Sequence, residues 1–235
     1  MEIFWRLIFG HLLADFTLQT NFINRWKRGS AWGMLAHCSV HPLCYAALTF
    51  HSLAQDWVAL GPLQLKGWAC LLILYATHYL EDEWRVTTIS RYKTPDNTLY
   101  FLWDQVIHAA LIFAVSPLSL GSGEPWVPEK WPVLGCLVVA LTHMTTVATY
   151  FLERDIYGGE YPGFDEKYLG MAERVVLALS FLLPYNGWIL VAPAWLAGMA
   201  ALRSRRLLDL SWFSFGFGAV MGIVCGVCAR AVYYS

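Results

Sequence analysis

Long apolar runs set the first constraint on this chain. A helix that crosses a bilayer needs about 20 mostly apolar residues, within a range of about 17–25. Runs of this kind fall at residues 2–20, 32–53, 64–81, 100–118, 131–153, 168–184, 186–201 and 211–232. They predict an all-α fold, a polytopic transmembrane helix bundle of about eight spans, with residues 1–235 forming a single integral membrane domain. The number falls to seven if 168–201 is one helix kinked at Pro184, but "LLPYNGW" combines Pro, Asn and Gly as a turn does. Charged residues make up 14% of the chain, well below the roughly 25% of soluble domains. The 12 Trp suit a chain with two membrane–water interfaces.

The basic residues predict orientation. Arg25, Lys27 and Arg28 follow the first run, Arg85, Arg91 and Lys93 follow the third, and Arg203, Arg205 and Arg206 precede the last. The intervening loops near Asp56–Lys66 and Ser119–Lys130 are poor in Lys and Arg. By the positive-inside rule the basic loops face the cytoplasm, which places the protein in a cell inner membrane with its N-terminus outside. The third basic loop stays cytoplasmic only if 168–201 crosses twice. The start "MEIFWRLIFGHLLADF" lacks a basic n-region and a cleavage site and reads as a retained helix. Six cysteines sit in apolar stretches; Cys225 and Cys228, although spaced C-x-x-C, read as packing residues. The formal net charge of −1 argues neither for nor against nucleic acid; the apolar runs make the lipid bilayer the expected partner, and no nucleic acid is expected.

Against this apolar background, four polar pairs recur at i, i+4: His11/Asp15, His37/His41, His78/Asp82 and Asp104/His108. Residues four apart share a helix face, so each pair presents two donor atoms toward one point. The predicted orientation puts every pair in the cytoplasmic half of the bundle. This divides the domain into a metal-site half, 1–118, and supporting helices, 131–232. An ionisable group inside a span costs at least about 2.5–3.5 kcal/mol, and coordination of a divalent metal compensates that cost. Imidazole and carboxylate suit zinc, with iron and manganese as alternatives. Zinc takes about four ligands, so these residues suffice for two ions, or for one ion with surrounding groups that orient its ligands. The competing reading is a set of hydrogen-bonded packing residues or a proton or ion pathway.

Other polar residues have plainer expectations. His51 reads as structural, while His143, deep in the fifth run, has a weaker claim on the cluster. Gln19 shares a face with Asp15, whereas Gln105 is expected to point away from Asp104's partners. Glu81, Glu83, Glu153 and Asp155 read as solvated helix ends. Glu173 and Arg174 read either as an ion pair or as contacts for an anionic substrate.

These polar motifs resemble those of a family. "HLLADFTLQT" is similar to the H-x-x-x-D-F-x-x-Q opening of a bacterial inner-membrane family known as a domain of unknown function. "HCSVH", "HYLED", "WDQVIH" and "LGMAERVV" resemble its later H-x-x-x-H, H-x-x-x-D, D-Q-x-x-H and G-x-x-E-R blocks, in the same order. The resemblance covers the first four runs and the region of Glu173, and implies a membrane fold but no activity. More distantly, the His and Asp pairs are similar to those of membrane-bound metal-dependent hydrolases.

The expected function is metal-dependent hydrolysis of a phosphate ester or lipid-linked substrate at a binuclear site near the cytoplasmic leaflet. Asp15, Asp82 and Asp104 are the candidate catalytic carboxylates. Gln19, Arg85, Glu173 and Arg174 are the candidate substrate contacts. The alternatives are a metal-ion or proton transporter and a non-catalytic subunit stapled by metal.

Overall fold

The computed structural model of the chain describes residues 1–118, 127–158, 163–205 and 211–235. The chain forms two compact units, Met1–Val133 and Leu134–Ser235. Apart from one short hairpin, the described elements are helical. Arg206 and most of the second Lys- and Arg-poor loop, 119–126, lie outside the described residues.

The first unit contains α1 (Glu2–Leu12), α2 (Asn21–Gly29), α3 (Ala31–Thr49), α4 (Gly67–Tyr92) and α5 (Thr98–Val115). Side-chain caps open three of them. Thr20 accepts from Ile23 N at 3.3 Å, Ser30 from Gly33 N at 3.1 Å and Asn97 from Tyr100 N at 3.1 Å, each satisfying an amide the helix itself leaves unpaired. A π turn, Leu13–Thr17, ends the first helical run. It inserts one residue into the α ladder and so rotates the downstream backbone by about 100°. Pro42 lies inside α3.

α5 buries Phe101, Asp104, His108 and Ile112 while exposing Leu99, Leu102, Trp103, Val106 and Phe113. α4 buries His78 and Asp82 while exposing Leu72, Leu80 and Trp84. A soluble bundle does the reverse; polar inside and apolar outside is the arrangement lipid selects. Next to the polar cluster the helices close into an apolar layer of Leu7, Tyr45, Leu71, Leu74 and Ile112. Beyond it lies Arg6, fully buried, which donates to Glu2 at 3.0 Å, to Leu48 O at 3.1 Å and to Val127 O.

Two local features depart from expectation. Residues 56–66, read as a plain loop, form an antiparallel hairpin of β1 (Asp56–Leu60) and β2 (Leu63–Lys66). Its Trp57 is buried in the apolar core, donates Nε1–H to Ser52 O at 3.1 Å, and comes so close to Gly67 that a Cβ there would lie 2.6 Å from the indole. Arg25, Lys27 and Arg28, expected in a loop, sit on α2, which exposes Phe22 and Trp26 on its surface.

The second unit takes in the rest of α6 (Lys130–Val139), a π turn at Ala140–Met144, and then α7 (Thr145–Tyr157), α8 (Phe164–Ser180), α9 (Trp188–Ser204) and α10 (Trp212–Tyr234). Between α8 and α9, Tyr185 and Asn186 adopt left-handed φ of 52° and 59°, so 168–201 is two helices and not one kinked helix. α9 turns back on α8: Phe181 stacks on Trp188 at 5.2 Å, and Trp195 Nε1 donates to Glu173 O at 3.2 Å. α8 packs on α10 through Gly218, Gly222 and Gly226, small residues one turn apart that let helices approach closely.

Among the described residues, Thr98–Val115, Lys130–Tyr157 and Trp212–Tyr234 are long and apolar enough to cross a membrane; Trp188–Ser204 is apolar but shorter. These features fit a membrane protein.

The close α8–α10 contact yields a paired prediction. At Gly226 a Cβ would sit 2.6 Å from the Phe181 ring and 3.1 Å from the Ala178 backbone, whereas at Gly198 on α9 it meets nothing within 4 Å. Gly226→Ala is expected to cost about 1–3 kcal/mol by overpacking, and Gly198→Ala to add up to about 1 kcal/mol by helix propensity. Thermal unfolding of the two variants in detergent reads the opposite signs.

Candidate metal centre

α1 and the π turn, α3, α4 and α5 deliver the polar pairs to one place in the first unit. His11, His37, His41, His78, Asp82, Asp104 and His108 are buried, and the Asp15 side chain is only 10% exposed. Asp15 Oδ1 lies 3.3 Å from His37 Nε2, 3.2 Å from His41 Nε2 and 3.8 Å from His78 Nε2. Asp82 Oδ2 lies 3.1 Å from His37 Nε2 and 3.8 Å from His78 Nε2.

Hydrogen bonding does not account for all these approaches. Asp15 Oδ1, both nitrogens of His41, His78 Nε2, Asp104 Oδ1 and both nitrogens of His108 are buried without a hydrogen-bond partner. Such orphaned groups each cost about 1–3 kcal/mol. A tetrahedral ion with bonds of about 2.0–2.1 Å separates its ligand atoms by about 3.4 Å, which is the spacing seen around Asp15 Oδ1. Donor atoms of Asp15, His37, His41 and His78 lie within 4.8 Å of one another, and so do those of Glu81, Asp82, Asp104 and His108. Further overlapping groups are His11/His78/His108 and Cys38/His78/Asp82. These groups could hold a metal ion, and the orphaned buried atoms are ones that a bound ion would satisfy.

The surroundings include residues that spacing alone missed. Lys27 reaches in from α2, 2.9 Å from Asp82 Oδ2 and 3.2 Å from His37 Nε2. Burial opposes its charge, yet Asp82 and Asp15 prevail and raise its pKa above the ordinary lysine range. Glu81, expected to be solvated, instead turns inward and places Oε2 3.2 Å from His108 Nε2. Gln105, expected to point away, bonds Asp104 Oδ2 at 2.9 Å and His11 Nε2 at 3.3 Å. The long Glu and Gln side chains reach across the helix surface, which a strict i, i+4 rule does not anticipate. Cys38, one of the six cysteines in apolar stretches, joins one ligand group.

The expected substrate contacts fall in different settings. Arg85 holds Asp104 at 3.0 Å and Asp96 at 3.2 Å, and Asp96 in turn meets Arg28 at 3.1 Å. Gln19 lies past the π turn and before α2, not on a helix shared with Asp15; its buried Oε1 has no hydrogen-bond partner. Glu173 and Arg174 belong to the second unit and do not form the expected pair with each other. Glu173 pairs with Arg203 at 2.6 Å. Arg174 donates to Leu141 O at 2.8 Å, Thr142 O at 3.1 Å and Thr146 Oγ1 at 2.7 Å, satisfying carbonyls at the π turn. His143 also lies in that unit, with Nδ1 3.1 Å from Thr142 Oγ1. His51 sits 3.6 Å from Glu2, at the end of the first unit marked by Arg6.

A family model described as "Protein of unknown function (DUF3307)" matches residues 3–129. The chain belongs to this family. The DUF3307 match contains all four polar pairs, Lys27, Glu81 and Gln105, and ends before the "LGMAERVV" block. No curated protein and no solved structure matches the chain.

The Lys27–Asp82 contact is testable without metal. Lys27→Met leaves a buried carboxylate without its cation and is expected to cost about 3–5 kcal/mol. Adding Asp82→Asn to that variant is expected to recover most of the loss, as read from thermal unfolding of the metal-free protein in detergent.

Proposed function

We propose that this chain is a membrane-embedded, metal-dependent hydrolase of phosphate esters, with lipid-linked phosphates as its foremost substrates. The reading includes eight spans and a site toward the cytoplasmic leaflet of an inner membrane. The observation that carries it is the set of buried donor atoms that lie at ligand spacing and lack hydrogen-bond partners.

Asp15, His37, His41 and His78 would hold one divalent ion, and Glu81, Asp82, Asp104 and His108 a second. Zinc suits this nitrogen and oxygen set, with iron or manganese as alternatives. When bound, such ions polarise a phosphoryl oxygen and lower the pKa of a water to about 7. Within this arrangement Arg85 and the Gln105 amide orient the Asp104 carboxylate toward the second ion. Lys27 holds Asp82 in place and offers its remaining N–H groups to an anionic oxygen.

Charge supports a phosphate. Asp15, Glu81, Asp82 and Asp104 carry four negative charges when ionised, and Lys27 and Arg85 carry two positive ones. One divalent ion neutralises the difference. A second leaves the site short of two negative charges, which a phosphomonoester dianion supplies. In a membrane interior such balance matters, because uncompensated charge is costly.

The apolar layer of Leu7, Tyr45, Leu71, Leu74 and Ile112 separates the cluster from the buried Arg6 and so weighs against transport, since a permeation path requires a continuous line of polar groups.

Elemental analysis of detergent-purified protein is expected to find about one or two equivalents of metal, lost in His37→Ala/His108→Ala. Chelation is expected to abolish hydrolysis of a phosphomonoester and phospholipid panel, and metal addition to restore it. Absence of metal after loading overturns the metal centre. Bound metal without turnover overturns the hydrolase in favour of a structural staple, and ion flux in liposomes dependent on the same residues favours a transporter.

A further inference from the structure

His11 differs from the other imidazoles of the cluster. Its Nε2 has two neighbours, Gln105 Oε1 at 3.3 Å and Asp15 Oδ2 at 3.5 Å. Its Nδ1 is buried and makes no hydrogen bond. The neighbours determine which nitrogen carries the proton.

The Gln105 amide has one orientation available. Its nitrogen lies 2.9 Å from Asp104 Oδ2, and Arg85 lies 3.0 Å from that same oxygen. An arginine-paired carboxylate oxygen accepts and does not donate, so the amide NH2 must face Asp104. The amide oxygen is thereby turned toward His11. Both groups facing His11 Nε2 are then acceptors, and a neutral imidazole satisfies them only with its proton on Nε2. The lone pair is left on Nδ1, the atom with no hydrogen-bond partner. Donor atoms of His11, His78 and His108 lie within 4.8 Å of one another, and His78 Nε2 and both His108 nitrogens are orphaned as well.

We infer that His11 ligates metal through Nδ1 and that Gln105, locked by Asp104 and Arg85, is the positioning residue that selects this tautomer. This ligand assignment rests on the metal-centre reading, whereas the tautomer stands without it. Asp15 acquires two functions from its two oxygens: Oδ1 faces His37, His41 and His78, while Oδ2 accepts from His11 Nε2–H. A carboxylate fixing a ligating imidazole through its distal N–H is a common way to orient a metal ligand. The surface end of the same chain is Arg28, which meets Asp96, which meets Arg85.

Nitrogen-15 NMR of histidine-labelled full-length protein in detergent tests this, with His11→Gln assigning the resonance. In metal-free protein His11 is expected to be the Nε2–H tautomer, and on adding zinc alone the Nδ1 resonance is expected to move while Nε2–H persists. Gln105→Met removes the acceptor; the Nε2–H share is expected to fall and zinc affinity to drop about 10–100-fold, whereas a merely space-filling Gln105 leaves the tautomer unchanged. An Nδ1–H tautomer in the metal-free protein, or zinc bound at Nε2, overturns the inference. If zinc does not bind at all, the metal centre and the ligand assignment fall together, and the metal-free spectrum still decides the tautomer.

Discussion

The carboxylate of Asp15 draws together imidazoles from three helices of the first unit. One oxygen faces His37 and His41 of α3 and His78 of α4, and the other faces His11 one turn earlier in its own segment. The orientation of α3 and α4 follows from this gathering. Each must point its few polar residues at the same spot and its Leu, Val and Trp residues elsewhere. In water the hydrophobic effect would reverse that order; in lipid the apolar face costs nothing to expose and the polar face must find partners. The polar cluster thus gathers these helices around it, beside the apolar core that includes Leu74.

Charge is tied to the outside by two routes. Lys27 brings one cation in from α2, a helix with exposed Phe22 and Trp26. Arg28, next along the same helix, begins the sequence of ion pairs through Asp96 and Arg85 to Asp104. A short amphipathic helix is therefore linked to the cluster directly through Lys27 and indirectly through Arg28. Gly33 is what allows it to lie so close: a Cβ there would meet Trp26 O at 2.3 Å.

Much of this was legible in the residues. The i, i+4 pairs named the central imidazoles and acids, because helical periodicity alone places them on one face. The break at "LLPYNGW" was readable from Pro, Asn and Gly, and the structure puts left-handed residues there. What escaped was set by tertiary reach. Lys27 looked like a topogenic charge because nothing local marks a lysine that extends inward. Gln105 and Glu81 adjoin pair members at i±1, positions that helical geometry sends to another face, yet their length brings them back. Arg6 sits in an apolar run with no partner nearby except Glu2; its remaining acceptors come from Leu48 and Val127, far along the chain. The π turns have no signature in residue type. The hairpin is too short, and its alternation too brief, to stand out from a loop.

Pro42 directly follows His41 in α3. Having no amide hydrogen, it cannot close the ladder bond to the carbonyl four residues back, and that carbonyl belongs to Cys38, between His37 and His41. The stretch of backbone presenting both imidazoles therefore has one fewer internal tie than an ordinary helical turn. That turn can change its pitch without rupturing a backbone hydrogen bond at Cys38, a compliance built into the segment that presents the two rings.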